Sequence, residues 1–512
     1  MERDQQHHRG RTLAIALVFA FAAALLLARP AHAGSYVVTE CSSVSAAAPD
    51  ARWERSTDHY RPREQCGTDG GLQAYHDAAE TGLWHYGAWV WRAPAGTVFT
   101  AIQANASLTS QAGHRGQLVA TRTSGEPVEF GEEHQDFRVH AISGEFTQFH
   151  SWLRCVAGQP CGRAGGDSAH AYVRGIYLRT DDRVAPEVAL GGGSLLADAV
   201  VRGTRGLAFD AADAGSGVRT VWVEANGTTI ATDTRNCGLA AGFATALQPC
   251  PPQTTEAVAV STASDAFVTG PNAVSACAED LALDGFANRT CEPASVWVDN
   301  LCPSSPATGA TGLSAGFRDG SETFAVRSDR PARIRGVVAG AGAGATVCAL
   351  TRDELPEAPI VVGAIATTGA GGHYTLELAP GPSREVFVHH ADGDSVIARH
   401  GLELRASARP SLAVSPRARV ENGDRLRFTG TLPAPACTGR VVKIQARLGG
   451  QHWQAFRTGR TSGDCEFAAG YKLRGTRHAH RYRFRALVPP QDGYPFDRGR
   501  SAQVSVKVRR RR

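Results

Sequence analysis

Lysine is nearly missing from this chain. Among 512 residues it occurs only at Lys443, Lys472 and Lys507, and methionine occurs once. Arginine therefore carries almost all the positive charge, and the net charge of +5 is small for this length. Long amphipathic helical stretches are almost absent, which excludes a helical bundle and a coiled coil. Beyond the N-terminal segment no apolar run approaches the roughly 20 residues of a spanning helix, which excludes a polytopic membrane protein. With 42% hydrophobic and 20% charged residues, the chain is not largely disordered. It has no C-x-x-C or H-E-x-x-H to suggest a zinc site, so no metal or cofactor is expected. It has no G-x-S-x-G elbow of the α/β-hydrolase kind either.

The first 33 residues read as an address. Arg9 and Arg11 precede an apolar run from Thr12 to Leu27, and Ala31-His32-Ala33 supplies an A-x-A cleavage site. A cleaved signal peptide over 1–33 is the expectation; a retained N-terminal anchor is the alternative. No Arg-Arg pair precedes the run, so the general secretion route is expected. Gly34 follows the cleavage point where a lipobox would place Cys, and no LPxTG-type signal precedes Arg509–Arg512. The expected location is secreted, extracellular or associated with a cell wall, with no transmembrane segment after cleavage.

Export makes disulfides the default state of the twelve Cys. Neighbourhood in sequence pairs Cys41 with Cys66, Cys155 with Cys161, Cys237 with Cys250, Cys277 with Cys291, Cys302 with Cys348, and Cys437 with Cys465. Each pair then lies inside one proposed domain.

Period-two alternation recurs between Gly, Pro and Asp turns, as in Ala171–Arg179, Val218–Glu224, Arg440–Ala446 and Gln503–Val508. Strands without intervening helices predict an all-β fold, a tandem array of antiparallel sandwiches. Pro-bearing junctions near 181–186, 298–303 and 408–410 divide it. The expected modules are a jelly-roll or lectin-like sandwich over 34–182, then sandwiches over 183–300, 301–408 and 409–508, with a basic tail at 509–512.

The second module carries a run from Asp213 to Val218 (DAGSGV), then Ala278-Glu279-Asp280 with Phe286-Ala287-Asn288, then Val298-Asp299-Asn300. This resembles the immunoglobulin-like domains of secreted multidomain proteins from high-GC Gram-positive bacteria, whose pattern is D-x-x-SGV, then D-x-x-GN, then V-D-N-x-P. The chain departs from it by the insertion Leu281–Gly285 and by the Cys277–Cys291 pair. The resemblance covers about 115 residues and implies an immunoglobulin-like fold. The third module, with Ile334–Val338 and Gly372–Leu378 before Pro380-Gly381, resembles carboxypeptidase-regulatory-like or prealbumin-type sandwiches. The fourth, with Asn422–Gly430, Trp453 and Tyr482–Ala486, again reads as immunoglobulin-like.

Catalytic chemistry finds little purchase. Ser168 and Ser395 follow Gly-Asp in the short GDS string of one lipase family, but both contexts read as turns. A glycosidase needs two carboxylates. Glu129 and Glu133 lack the jelly-roll glucanase spacing, and Glu145 stands alone. Asp210, Asp213, Asp280 and Asp284 offer oxygen ligands for calcium, or simply close turns. His134, His140 and His150 read as surface residues. The strongest binding signal is aromatic: Trp84, Tyr86, Trp89 and Trp91 fall on one apolar strand, Leu83–Trp91. One pair should pack the core; the other could stack on a sugar.

Charge divides unevenly. Ser411–Arg512 has 22 basic and 6 acidic residues, net +16, whereas Gly34–Pro410 has 28 and 41, net −13. A basic exported module suggests a wall polyanion rather than nucleic acid. The functional expectation is a secreted, non-catalytic binding or adhesion protein at the cell surface, reading glycan through its first module. An exported glycan hydrolase with catalytic acids in that module, or a purely structural wall component, are the alternatives. The oligomeric state is not legible.

Overall fold

Alternating sequence dictates strands, and the computed structural model consists of them almost throughout. It describes residues 34–510 apart from 68–69, 77–79, 157–160, 163–168, 307, 319, 450 and 475–477. Among the described residues, helix is confined to one turn at Ser194–Ala197 and a 3-10 turn at Ala370–Gly372. The chain is all-β, built from stacked sheets as expected. By internal contacts it falls into two compact units. Of the described residues, one takes in 34–194 with Gly206–Val260 and Ala273–Ala294; the other takes in Leu195–Arg205, Ser261–Asn272 and 295–510.

In the first unit the organising element is the strand His134–Cys155. Its first half pairs with Thr97–Leu108. Past a register break between Ser143 and Phe146, its second half lies between Tyr86–Arg92 and His114–Arg122. One strand thus serves two layers, and the irregularity lets it turn the corner between them. Arg52–Arg55 and Pro127–Phe130 extend the layer of the second half. His170–Asp182 and Gly34–Glu40 extend the other. Trp91, Phe99, Phe146 and Phe149 are fully buried in their shared core. A short hairpin from the Cys237–Cys250 loop adds to this sheet: Ala244 pairs in parallel with Val38, and the Tyr36 hydroxyl donates to the Leu247 carbonyl at 2.7 Å. Strand periodicity does not announce this contact, because a loop makes it.

Residues 187–298 form a three-stranded sheet (Glu187–Gly192, Thr204–Ala212, Gln253–Ser261) and a four-stranded one (Thr228–Thr234, Val218–Ala225, Gly270–Asp280, Arg289–Val298). Seven strands divided in this way suit an immunoglobulin-type sandwich. In the second unit, residues 304–407 and 413–509 each provide one three-stranded and one six-stranded sheet. Their pairing is not wholly antiparallel. Thr323–Arg327 lies parallel to Ser395–Ser407, and Val420–Glu421 parallel to Val504–Arg509. Such pairs arise when a strand reaches a sheet by a long connection rather than a tight hairpin.

The twelve cysteines form six disulfides: Cys41–Cys66, Cys155–Cys161, Cys237–Cys250, Cys277–Cys291, Cys302–Cys348 and Cys437–Cys465.

Candidate functional site

The aromatic segment of the first sandwich is not one continuous strand. The strand is Tyr86–Arg92, and Trp84 precedes it in a left-handed conformation, φ 69°. Alternation still separates the aromatics. Trp89 and Trp91 face the core at 5% and 0% exposure, and the Trp91 indole donates to Glu40 Oε2 at 2.7 Å. Trp84 is 58% exposed and Tyr86 half-buried.

Register shows what accompanies Tyr86. In an antiparallel ladder, residues directly opposite share a face. Arg154 lies opposite Tyr86 and Arg115; Trp152 opposite Ala88 and Gln117; His150 opposite Val90 and Val119. These side chains therefore occupy the face turned away from Trp91 and Phe149. They touch one another: Tyr86 and Trp152 ring centroids are 5.8 Å apart, and His150 and Trp152 5.0 Å. The Arg154 guanidinium lies 5.2 Å from the Trp84 ring centroid and 5.4 Å from that of Trp152. At the rim, Glu129 pairs with Arg115 at 2.6 Å and accepts from Gln117 Nε2 at 2.6 Å.

This face holds polar groups out of water without satisfying them. Gln117 Oε1, His150 Nδ1, Trp152 Nε1 and Arg154 Nε are buried and lack a hydrogen-bond partner among the described residues. Burial pushes the His150 pKa down to about 4, so its imidazole is neutral at physiological pH. Burial also holds Arg154 below its ordinary range, although Glu129 opposes this. A buried polar atom left unpaired costs roughly 1–3 kcal/mol. Four such atoms lie behind this one aromatic face.

Only Tyr86 and Trp84 of this group were singled out by strand reading. His150 was read as a surface residue and is 7% exposed. Trp152, Arg154 and Gln117 were missed, because long-range register brings them to Tyr86. The alternation His150-x-Trp152-x-Arg154 was the available signal.

The remaining candidates stay apart. Ser168 lies outside the described residues. Ser395 opens a strand after a hairpin turn in which Gly393 has φ 64°, a backbone that favours glycine. Glu133 accepts from the Ser110 N–H at 2.9 Å, and Glu145 pairs with Arg183 at 2.5 Å. His134 and His140 lie on the half of the long strand that pairs with Thr97–Leu108. Glu54 and Glu129 sit on strands at opposite edges of the Tyr86–Arg92 layer, with three strands between them.

The four aspartates read as turn closers or calcium ligands are each hydrogen-bonded within the protein, Asp210 and Asp280 from strands. Asp210 accepts from Thr255 at 2.5 Å, and Asp284 from Ser35 and the Phe286 N–H. Asp213 accepts from the Gly217 N–H at 2.6 Å. Asp280 accepts from the Asn288 backbone and side chain. Among the described residues, Asp299, Cys302 and His389 are the group of three placed closely enough to surround a metal. Cys302 is committed to its disulfide, so it offers no thiolate. Asp299 instead holds His389 Nδ1 at 2.9 Å.

No known protein family and no curated protein matches this chain. Among solved structures, the chain resembles a tetra-tandem repeat from the extending region of a large adhesion protein. The match has 11% identity and a TM-score of 0.21, and it covers 93% of this chain and 99% of that one. At that score the all-β assignment rests on the strands themselves.

Proposed function

We propose that this protein is an exported, non-catalytic binding protein whose first sandwich recognises carbohydrate through the face of Trp84, Tyr86, Trp152, His150, Gln117 and Arg154. The observation that carries the reading is the coincidence, on one sheet face, of the exposed Trp84 ring with the part-buried Tyr86 and Trp152 rings and the Arg154 guanidinium between them. Sugar rings present apolar C–H faces for the aromatics and hydroxyl oxygens for the Arg154 guanidinium. Six disulfides suit an oxidising, extracellular setting. Among the described residues no helix is long and apolar enough to cross a membrane.

The test is a glycan array probed with the whole secreted chain, with hydrolysis products assayed on every glycan retained. Truncating a central aromatic anchor costs about 2 kcal/mol of binding. Trp152→Ala is therefore expected to weaken retention roughly thirtyfold. Trp84→Ala should leave stability within about 0.5 kcal/mol, because the ring is exposed. Trp91→Ala, the core control, should cost about 3–5 kcal/mol of stability. Retention unaffected by Trp152→Ala would discard this face as the site. Released sugars would replace binding with hydrolysis.

A further inference from the structure

A second face of the molecule carries a different chemistry. In the strand His480–Val488, arginine occupies every second position: Arg481, Arg483 and Arg485. Tyr482, Phe484 and Ala486 take the intervening positions, and Phe484 and Ala486 are buried in the core. Period two thus sends all three guanidinium groups to the outer face. The flanking strands add to it by register. Arg447 lies opposite Arg483, Lys507 opposite Arg481, and Lys443 opposite Leu487 on the same face. Six cations share one side of one sheet. Neighbours are about 6.6 Å apart along a strand and about 4.8 Å between strands.

None of the six forms an ion pair among the described residues. Elsewhere the protein pairs its arginines freely, as with Arg333 and Glu377 or Arg352 and Glu385. The cations are partly ordered: Arg485 lies 4.1 Å and Arg447 5.0 Å from the Trp453 ring centroid. Arg485 also donates through Nε to Gln445 at 2.7 Å. A guanidinium stacked on an indole has lost much of its freedom before any ligand arrives, so less is lost on binding. Burial, and then the like charges of Arg500, Arg447 and Arg498, hold Arg485 below its ordinary pKa. At a Debye length of about 8 Å neighbouring cations feel one another in physiological salt.

We propose that this arginine face binds an extended acidic polysaccharide, whose successive anionic groups lie along the rows of cations. Arginine rather than lysine supplies most of the rows, and its planar fork suits carboxylate and sulfate oxygens two at a time. The Trp453 ring among the guanidiniums offers a surface for a sugar, which favours a charged polysaccharide over a bare inorganic polymer. The site is separate from the proposed carbohydrate face in residues, charge and driving force.

The test uses the full secreted chain and polygalacturonate, with its fully methyl-esterified form as the uncharged counterpart. The first variant is Arg481→Gln, Arg483→Gln, Arg485→Gln. The second, Arg417→Gln, Arg425→Gln, Arg427→Gln, removes the same charge from exposed positions of the same residue range. At low salt the first variant should lose at least tenfold in affinity for polygalacturonate. The second should stay within about threefold of the parent, and the esterified polymer should not bind. Equal loss in both variants would reduce the effect to net charge and overturn the site. Equal binding of the esterified polymer would overturn the anionic ligand. Salt-sensitive self-association of the parent, abolished by the first variant, would assign the face to the acidic surface of a second copy and overturn the polysaccharide. A first variant that binds like the parent overturns the proposal outright. Melting curves for both variants show whether each is folded, and the outer position of every substituted side chain predicts that they are.

Discussion

Asp213 and Asp280, buried beside Asp182, show how far a single side chain here departs from its ordinary chemistry. Asp182 and Asp280 are fully buried and Asp213 is 3% exposed. Asp182 closes the DAGSGV turn by accepting the Ser216 N–H at 2.6 Å. Burial first, and then the charge of Asp182, push Asp213 up to about 6. Burial raises Asp280 to about 7 against the hydrogen bonds from Asn288, with Asp182 and Asp213 adding to the rise. These folded values lie above the unfolded value of about 3.9. The stability they contribute is therefore complete below about pH 4 and is lost as pH rises through 6 to 7. His150 works in the opposite sense: with a folded pKa of about 4, it costs stability as pH falls below about 6.5. Asp213→Asn keeps an oxygen for Gly217 and removes one charge from the cluster. Its effect on stability should be up to about 3 kcal/mol more favourable at pH 7.5 than at pH 4. Denaturant melts at the two pH values measure this. An equal effect at both would show that the fold does not raise the Asp213 pKa.

At the scale of the element, the segment 297–302 does more than link two sheets. Trp297 packs against His389 and His400 with ring centroids 4.8 and 4.9 Å away. Asp299 accepts from the Leu301 and Cys302 N–H groups through Oδ1 and holds His389 through Oδ2. His389 Nε2 in turn meets His400 Nε2 at 2.8 Å, and the Cys302–Cys348 disulfide ties the same segment to the neighbouring strand. Burial would raise the Asp299 pKa, but His389 and the N–H donors hold it below the usual range. Removing one partner of a fully buried pair costs about 3–5 kcal/mol. Asp299→Ala should destabilise by that amount, read by thermal melting. A loss under about 1 kcal/mol would mean the pair contributes little. The Val298-Asp299-Asn300 motif was legible as a turn, since Asp closes such turns locally. Its histidine partner was not, because it lies 90 residues further on. The same limit explains the aromatic face of the first sandwich. Burial of Trp89 and Trp91 follows from period two, whereas Trp152 and Gln117 meet Tyr86's strand only through pairings set by sheet register. The disulfides were legible because every pair closes a short loop, the longest spanning 46 residues.

On the scale of the whole molecule, the two proposed faces differ in what drives binding. The first offers aromatic rings, the neutral groups of His150 and Gln117 and a single guanidinium, Arg154, with Arg115–Glu129 and Arg92–Glu54 paired at the rim. A neutral sugar stacking there displaces water and releases few ions, so salt should matter little. The arginine face lies in residues 411–512, with net charge +16. A polyanion bound there sheds its counterions, and affinity falls as a power of salt that grows with the number of contacts. With about four contacts, a tenfold rise in salt should weaken binding by roughly a thousandfold. At 0.5 M the Debye length is only about 4–5 Å, shorter than the spacing of the arginines along their strand. The whole chain should therefore keep its affinity for an array-selected neutral glycan within about threefold between 0.05 and 0.5 M NaCl. Over the same range it should release polygalacturonate, as titrated by fluorescence anisotropy of each labelled ligand. If both ligands leave together as salt rises, the first face also works by charge, and its aromatic rings do not supply the affinity assigned to them. If neither leaves, the arginine rows bind through something other than their charge.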